Sequence, residues 1–150
     1  MKVLITGITG MIGTHFAVAC KARGWDTYGI SRHTSAGRLY GQASANLFHI
    51  DIVDYLALEA IFMRIKFDVV IHLAAQAYNA LSWEQENYTH QANYQGTLNV
   101  LQCVRRHCPE ARVMLACSSA EYGNLENDLN PLSEERPLRP ISPYGVSKVV

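Results

Sequence analysis

The chain has 150 residues, 49% of them apolar and 17% charged, which suits one globular domain with a proper core and excludes a disordered chain. Thirteen Lys and Arg balance thirteen Asp and Glu, for a formal net charge of +0, so charge offers no attraction to nucleic acid or an anionic membrane surface. The longest apolar runs fall far short of a transmembrane span.

The opening MKVLITG lacks a signal-peptide core and a cleavage site. Cys20, Cys103, Cys108 and Cys117 show neither a CxxC nor a metal-type pairing with His. They are expected to be reduced thiols in a cytoplasmic protein. The six His are scattered; His72, within an apolar run, is expected to be a packed residue, and no metal site is expected.

Lys2–Gly7 (KVLITG) is a short apolar run with β-branched residues that ends in Gly, which predicts a buried strand. Met11–Arg23 reads as a helix with Ile12, Phe16, Ala19 and Cys20 on one stripe, stopped by Gly24. Trp25–Ser31 is a second strand, followed by a polar loop through Ser44. A third strand is expected over Asn46–Ile50, a helix over Tyr55–Ile65, and a continuous apolar strand over Phe67–Ala75. Asn87–His107 reads as one long helix with Tyr94, Leu98, Leu101 and Val104 in register, and Pro109 lies beyond its end. Arg112–Cys117 is a fifth strand, and Asn124–Pro140 a polar, Pro-bearing loop. Strands that alternate with helices and are apolar on both faces predict a parallel sheet covered on both sides. The expected fold class is therefore α/β, a doubly wound parallel sheet.

Directly after the first strand comes TGITGMIGTH, with Gly7, Gly10 and Gly13. Gly7 permits a tight strand-to-helix turn, Gly10 a close backbone approach to a pyrophosphate, and Gly13 close packing of helix on strand. The helix N-terminus supplies unpaired N–H donors and partial positive charge. A glycine triplet alone marks only a turn; strand, glycines and amphipathic helix in this order point to a dinucleotide. The second strand ends in ISRH, with no acid between Gly29 and Arg38. A carboxylate there would favour NAD, whereas Arg32, supported by Ser31 and Arg38, suits the 2′-phosphate of NADP. The alternative is a solvated loop arginine. Asp51 suits either a hydrogen bond to an adenine amino group or a helix cap, a role for which Asp54 is also placed.

Tyr144 and Lys148 lie four apart and share a helix face, with Ser142 and Pro143 as N-cap and first helical residue. Free Tyr ionises near pH 10, too high for proton exchange at neutral pH. A Lys ammonium and a cationic nicotinamide nearby would stabilise the phenolate. The phenol could then exchange a proton with a sugar hydroxyl or carbonyl while hydride moves. The spacing alone is weak, and a surface helix pair is the bland alternative. Ser118 strengthens it, because CSS ends the fifth strand at the sheet edge where open α/β sheets bind ligands. A hydroxyl there can donate to an oxyanion or orient the phenol.

Five segments in order, TGITGMIGTH, HLAAQ (His72–Gln76), NYQGTLNVL (Asn93–Leu101), SSAEYG (Ser118–Gly123) and RPISPYGVSK (Arg139–Lys148), resemble the extended short-chain dehydrogenase/reductases. Those are nucleotide-sugar epimerases, dehydratases and reductases. YGISRHT with LRPISPYGVSK is most similar to the GDP-mannose 4,6-dehydratase and GDP-4-keto-6-deoxy-mannose reductase branch. The resemblance implies Ser118, Tyr144 and Lys148 as the catalytic set. It implies a cofactor site of Gly7, Gly10, Met11, Ile12, Gly13, Ser31, Arg32, Asp51, Ile52, Leu73, Ala74 and Ala75, together with Tyr144 and Lys148. NADP is the expected cofactor, with NAD as runner-up, and a GDP-sugar the favoured substrate. A homodimer through the Asn87–His107 helix and the Tyr144 helix is implied as well.

One departure bears on the reaction. The family's dehydratases carry a Glu two residues before the Tyr of the YG pair, as general base for water elimination. Ala120 stands there, and Glu121 occupies the next position. Reduction of a 4-keto sugar, or 4-epimerisation, needs only Ser, Tyr, Lys and the nicotinamide. The resemblance therefore favours a 4-reductase, with epimerase and dehydratase as alternatives and a non-catalytic dinucleotide-binding or dimerising fragment as a third. Members of the family are longer, with a C-terminal region that binds the sugar nucleotide. Residues 1–150 are thus expected to be the Rossmann-like cofactor domain, truncated before that region.

Overall fold

The structure, a computed structural model, describes residues 1–32, 46–124 and 131–149. Five strands, β1 (Lys2–Thr6), β2 (Asp26–Ser31), β3 (Asn46–His49), β4 (Val69–His72) and β5 (Arg112–Leu115), form one sheet in the order β3-β2-β1-β4-β5. Every pairing is parallel. The order reverses between β1 and β4, the switch point of a doubly wound Rossmann-like sheet. The expected fold class is the observed one.

The chain divides into two compact units, Met1–Ala74 with Gln95–Ala116, and Ala75–Tyr94 with Cys117–Val150. The first holds the sheet with helices α1 (Met11–Ala22), α2 (Tyr55–Arg64) and α5 (Gly96–His107). The second holds α3 (Asn79–Glu84), α4 (Glu86–His90), a 3-10 turn at Ser119–Tyr122 and α6 (Pro143–Val149).

In the first unit β1 is buried on both faces, as a central parallel strand must be. Leu4 joins Ile30, Val70, Leu58, Phe62 and Val100 in one core cluster, whereas Val3 and Ile5 join Ile8, Ala17, Cys20 and Ile71 in another. Each Leu, Ile or Phe removed fully from water stabilises by about 1.5–3 kcal/mol. Cys20, Cys103 and Cys108 are buried and Cys117 is exposed, all as free thiols. Burial pushes the Cys103 thiol up to about 12, so it packs as a small apolar side chain.

Three details differ from the sequence reading. In α1 the buried residues are Gly13, Thr14, Ala17 and Cys20, with Phe16 packed against the same cluster, and Ile12 is exposed; at Gly13 the backbone of Gly7 and Ile8 leaves no room for a side chain. The long helix is interrupted: α4 gives way at Gln91–Gln95 to a π turn before α5 begins. In α5 the buried residues are Gly96, Asn99, Val100, Cys103 and Val104, so Val104 is buried as expected while Tyr94 and Leu101 are exposed. The fourth strand is shorter than its apolar run, Val69–His72 against Phe67–Ala75, and the short α3 has no side-chain cap to announce it. The loop through Ser44 lies mostly outside the described residues. Among the described residues no helix is long and apolar enough to cross a membrane.

A polar cluster ties α2 to α5. Tyr55 donates to Glu59 Oε1 at 2.7 Å, and Arg106 donates to the Tyr55 hydroxyl at 2.7 Å and to Glu59 at 3.2 Å. His107 Nε2 lies 3.2 Å from the same carboxylate. The Tyr55 hydrogen bond, then that of His107, holds the Glu59 carboxyl below the usual glutamate range. A depressed carboxylate contributes stability above its unfolded-state pKa and loses it as pH falls through the folded-state value. Glu59→Gln is therefore expected to lower the thermal midpoint at neutral pH, and the gap to wild type should close on acidification below the glutamate range. A gap constant with pH would contradict this assignment.

Candidate functional site

The strand-to-helix turn of the first unit is built by backbone meeting backbone. Gly7 has φ +68°, and a Cβ there would lie 2.9 Å from Ala74 N. A Cβ on Gly13 would lie 2.4 Å from Gly7 O and 2.7 Å from Ile8 Cα. Neither position admits a side chain without moving main chain. Gly10 caps α1 with no side-chain hydrogen bond. Its carbonyl accepts from Thr14 N at 2.9 Å. The first amides of α1 have no acceptor within the helix. The side chains of Met11 and Ile12 are exposed and leave that end of the helix open to an anion. Ser31, at the end of β2, is buried and its hydroxyl lies 3.1 Å from that of Thr9 in the turn.

Behind the turn, β1 and β4 are joined by one hydroxyl. Thr6 Oγ1 accepts from Leu73 N at 3.2 Å and Ala74 N at 3.1 Å, and lies 2.7 Å from His72 Nδ1. Both lone pairs are then in use, so the hydroxyl proton goes to Nδ1. That places the imidazole proton on Nε2, 3.0 Å from Thr97 Oγ1. His72 is a satisfied core histidine, and Leu73 and Ala74 are held by their amides. Thr6 was not legible as a site residue, since a Thr at a strand end has many bland uses. Among the described residues no group of His, Cys, Asp or Glu is placed to hold a metal ion.

Arg32 and Asp51, just beyond β2 and β3, lie 4.0 Å apart with side chains 48% and 38% exposed. Asp51 Oδ1 accepts from Val53 N at 3.1 Å, while Asp54 caps α2 by accepting from Ala57 N at 3.1 Å. The capping role thus falls to Asp54. Ile52 is buried, and its carbonyl accepts from Asn99 Nδ2 at 3.0 Å. Arg38 lies outside the described residues.

Ala75, Ser118, Tyr144 and Lys148 all belong to the second unit. Ser118 caps the 3-10 turn: its Oγ accepts from Ala120 N at 3.1 Å, and Glu121 Oε1 accepts from Ser118 N at 2.8 Å. This reciprocal capping box uses Ser118 Oγ as an acceptor, so its O–H is still a donor. Ser142 caps α6 through Gly145 N at 3.0 Å, in keeping with its place before Pro143. Tyr144 and Lys148 lie on consecutive turns, both half-buried. Burial lowers the Lys148 ammonium below the usual lysine value, partly offset by Cys117 and Glu121.

Residues 4–150 match the family described as GDP-mannose 4,6 dehydratase. The chain belongs to that family. It is 33% identical to the GDP-mannose 4,6-dehydratase of Vibrio cholerae, over 99% of this chain and 43% of that protein. It is 34% identical to UDP-glucose 4-epimerase 2 of Oryza sativa subsp. japonica, over 99% of this chain and 38% of that protein. Among solved structures, the Thermus thermophilus UDP-glucose 4-epimerase in complex with NAD superposes with a TM-score of 0.87 at 30% identity, covering 99% of this chain and 47% of that one. The Campylobacter jejuni UDP-Glc/GlcNAc 4-epimerase gives 0.88 at 25% identity, covering 99% and 46%. These likenesses establish membership of the extended short-chain dehydrogenase/reductases, the nucleotide-sugar epimerases and dehydratases, as the motifs implied. The chain spans less than half the length of these relatives.

The Gly13 contact gives a direct test of the turn. Gly13→Ala is expected to cost about 1–3 kcal/mol, since a methyl would displace main chain. Met11→Ala, on an exposed side chain of the same helix turn, should stay within about 0.5 kcal/mol of wild type. Urea unfolding of both measures the difference; equal midpoints would contradict the close approach.

Proposed function

We propose that residues 1–150 form the cofactor-binding part of an NAD(P)-dependent nucleotide-sugar oxidoreductase, and that it reduces a GDP-4-keto-6-deoxy-mannose at C4. On this reading the sugar-nucleotide region is supplied by the length of the relatives that this chain does not span. The single observation that carries the preference over dehydration is the state of Glu121. Its side chain is buried and accepts from Ser118 N at 2.8 Å, and Ala120 stands where the dehydratases place their general base. The Ser118–Tyr122 segment therefore supports proton exchange at an oxygen better than removal of a carbon-bound proton. UDP-glucose 4-epimerases among the relatives favour 4-epimerisation as the second reading, and that reaction needs the same three side chains.

A nicotinamide dinucleotide fits the chain's own residues. The Gly7 and Gly13 contacts leave a turn of bare backbone, and α1 opens on uncapped amides suited to a pyrophosphate. When bound, the nicotinamide supplies the hydride. Ser118 donates a hydrogen bond to the sugar's C4 oxygen, Tyr144 gives that oxygen its proton, and the Lys148 ammonium stabilises the phenolate left behind.

NADP is favoured over NAD by Arg32. Its contact with Asp51 is long and half-exposed, a pair worth about 0–1 kcal/mol, so a 2′-phosphate can outcompete the carboxylate. The relatives solved with NAD favour the other cofactor. We further propose a cytoplasmic location and a homodimer through the Asn87–His107 and Tyr144 helices.

Two measurements decide these points. Arg32→Ala should weaken NADPH binding about tenfold or more, as loss of a charge-assisted hydrogen bond does, with NADH binding unchanged; equal NADPH and NADH affinities in wild type would remove the NADP assignment. GDP-mannose incubated with the enzyme and NADP should yield no 4-keto-6-deoxy product, and its appearance would establish a dehydratase instead.

A further inference from the structure

The second unit contains a buried polar network that none of the roles above uses. Asn93 lies in the π turn and is 2% exposed. Its Nδ2 donates to Ser147 Oγ at 2.8 Å and to Gln76 O at 3.0 Å, and its Oδ1 accepts from Gln76 N at 2.7 Å. The Gln76 amide N–H and carbonyl on either side fix which way the Asn93 amide faces, so the donor toward Ser147 is not a free choice. Gln76 is held in turn: its Nε2 donates to Tyr78 O at 2.9 Å and to Thr89 Oγ1 at 3.1 Å. Ser147, 2% exposed, donates its one proton to Tyr144 O at 2.7 Å. Its oxygen is thus an acceptor for Asn93 and a donor to the residue three positions back.

A buried helical serine bonded to a carbonyl one turn earlier is common and often means nothing more. The place of this one differs. Ser147 lies in α6 between Tyr144 and Lys148. Its hydroxyl grips the main chain of the first and immediately precedes the second. The π turn on the other side aims Asn93 at it, and such turns recur at functional sites.

We propose that Ser147, held by the Asn93 side chain, is a positioning residue that fixes the turn of α6 carrying Tyr144 and Lys148. It touches neither substrate nor cofactor in this role. The inference rests on the reading of Tyr144 and Lys148 as the catalytic pair. Without the Asn93–Ser147–Tyr144 link, α6 keeps its cap at Ser142 but the turn between Tyr144 and Lys148 is held less firmly, and Lys148 gains water. Among the described residues, Cys117 and Glu121 are the titratable groups whose charge acts on Lys148, both raising it.

The chain has four lysines, so Lys148 can be tracked by NMR after reductive 13C-methylation and assigned with Lys148→Arg. In Ser147→Ala the Lys148 titration should move up toward the ordinary lysine value by about half a unit or more, since lost burial favours the charged form. Thr27→Ala, which removes another buried hydroxyl in the first unit, should leave it unmoved, and Ser147→Thr should restore it. Ser147→Cys, which nearly keeps the side-chain volume and weakens both hydrogen bonds without adding a charge beside Lys148, should shift it in the same direction if Ser147→Ala does not fold. A Lys148 titration unchanged in a folded Ser147→Ala, or in Ser147→Cys where the alanine variant does not fold, overturns the proposal. In turnover, kcat should fall about 10- to 100-fold, as for small misplacements of reacting groups, with KM for the sugar nucleotide unchanged. Wild type that neither binds nor uses NADPH would defeat the functional reading, while the Lys148 titration still decides the role of Ser147.

Discussion

The first unit depends on one buried hydroxyl at the end of its central strand. Thr6 Oγ1 takes the amides of Leu73 and Ala74 and gives its proton to His72, which fixes where β1 and β4 end relative to one another. That junction is the switch point of the sheet, so it also fixes where the Gly7 turn begins. Gly7 must then pass within contact distance of the Ala74 backbone, and Gly13 within contact of Gly7 and Ile8. Replacing the hydroxyl by a methyl would take from Ala74 N its acceptor and from His72 Nδ1 its hydrogen bond to Thr6, at about 1–3 kcal/mol for the amide, while Leu73 N keeps the Thr6 carbonyl at 3.2 Å. The glycines are thus consequences of strand alignment as much as of phosphate chemistry.

Chemistry in the second unit is shaped by what the polar groups are already committed to. Glu121, the position after Ala120, closes the capping box on Ser118. The same bond holds in place Ser118, whose hydroxyl keeps its proton for another acceptor. Lys148 is half-buried, so its ammonium is more easily relieved of its proton than a surface lysine. Ser147 and Asn93 then govern how firmly that lysine and Tyr144 share one helix face.

The sheet was legible because its strands are apolar on both faces and end in turn residues. The α6 pair was legible because Ser142 and Pro143 announce a helix start just before Tyr144. The features that sequence patterns missed have common physical causes. Periodicity finds large apolar side chains, but α1 also buries Gly13, Thr14 and Ala17, and at Gly13 the backbone of Gly7 and Ile8 leaves no room for a side chain. Of the expected stripe Tyr94, Leu98, Leu101 and Val104, Val104 is buried, whereas Asn99 is a buried polar residue that an apolar pattern cannot find. Thr6, Gln76, Asn93 and Asn99 are buried polar residues whose partners lie far along the chain, and no local signal reports such pairings. Ser118 and Glu121 both stand out in the sequence, but only the folded chain shows that they satisfy each other.

Hydride delivery to C4 of a sugar nucleotide is the central claim, and an isotope label tests it most directly. The enzyme would be given NADPH deuterated at the transferring C4 position together with a GDP-4-keto-6-deoxy-hexose, and the sugar product read by NMR. Deuterium bonded to the sugar C4 is the expected result, with the new hydroxyl proton drawn from solvent through Tyr144. A product with protium at C4, or a 4-keto sugar returned unreduced with the cofactor intact, would contradict it.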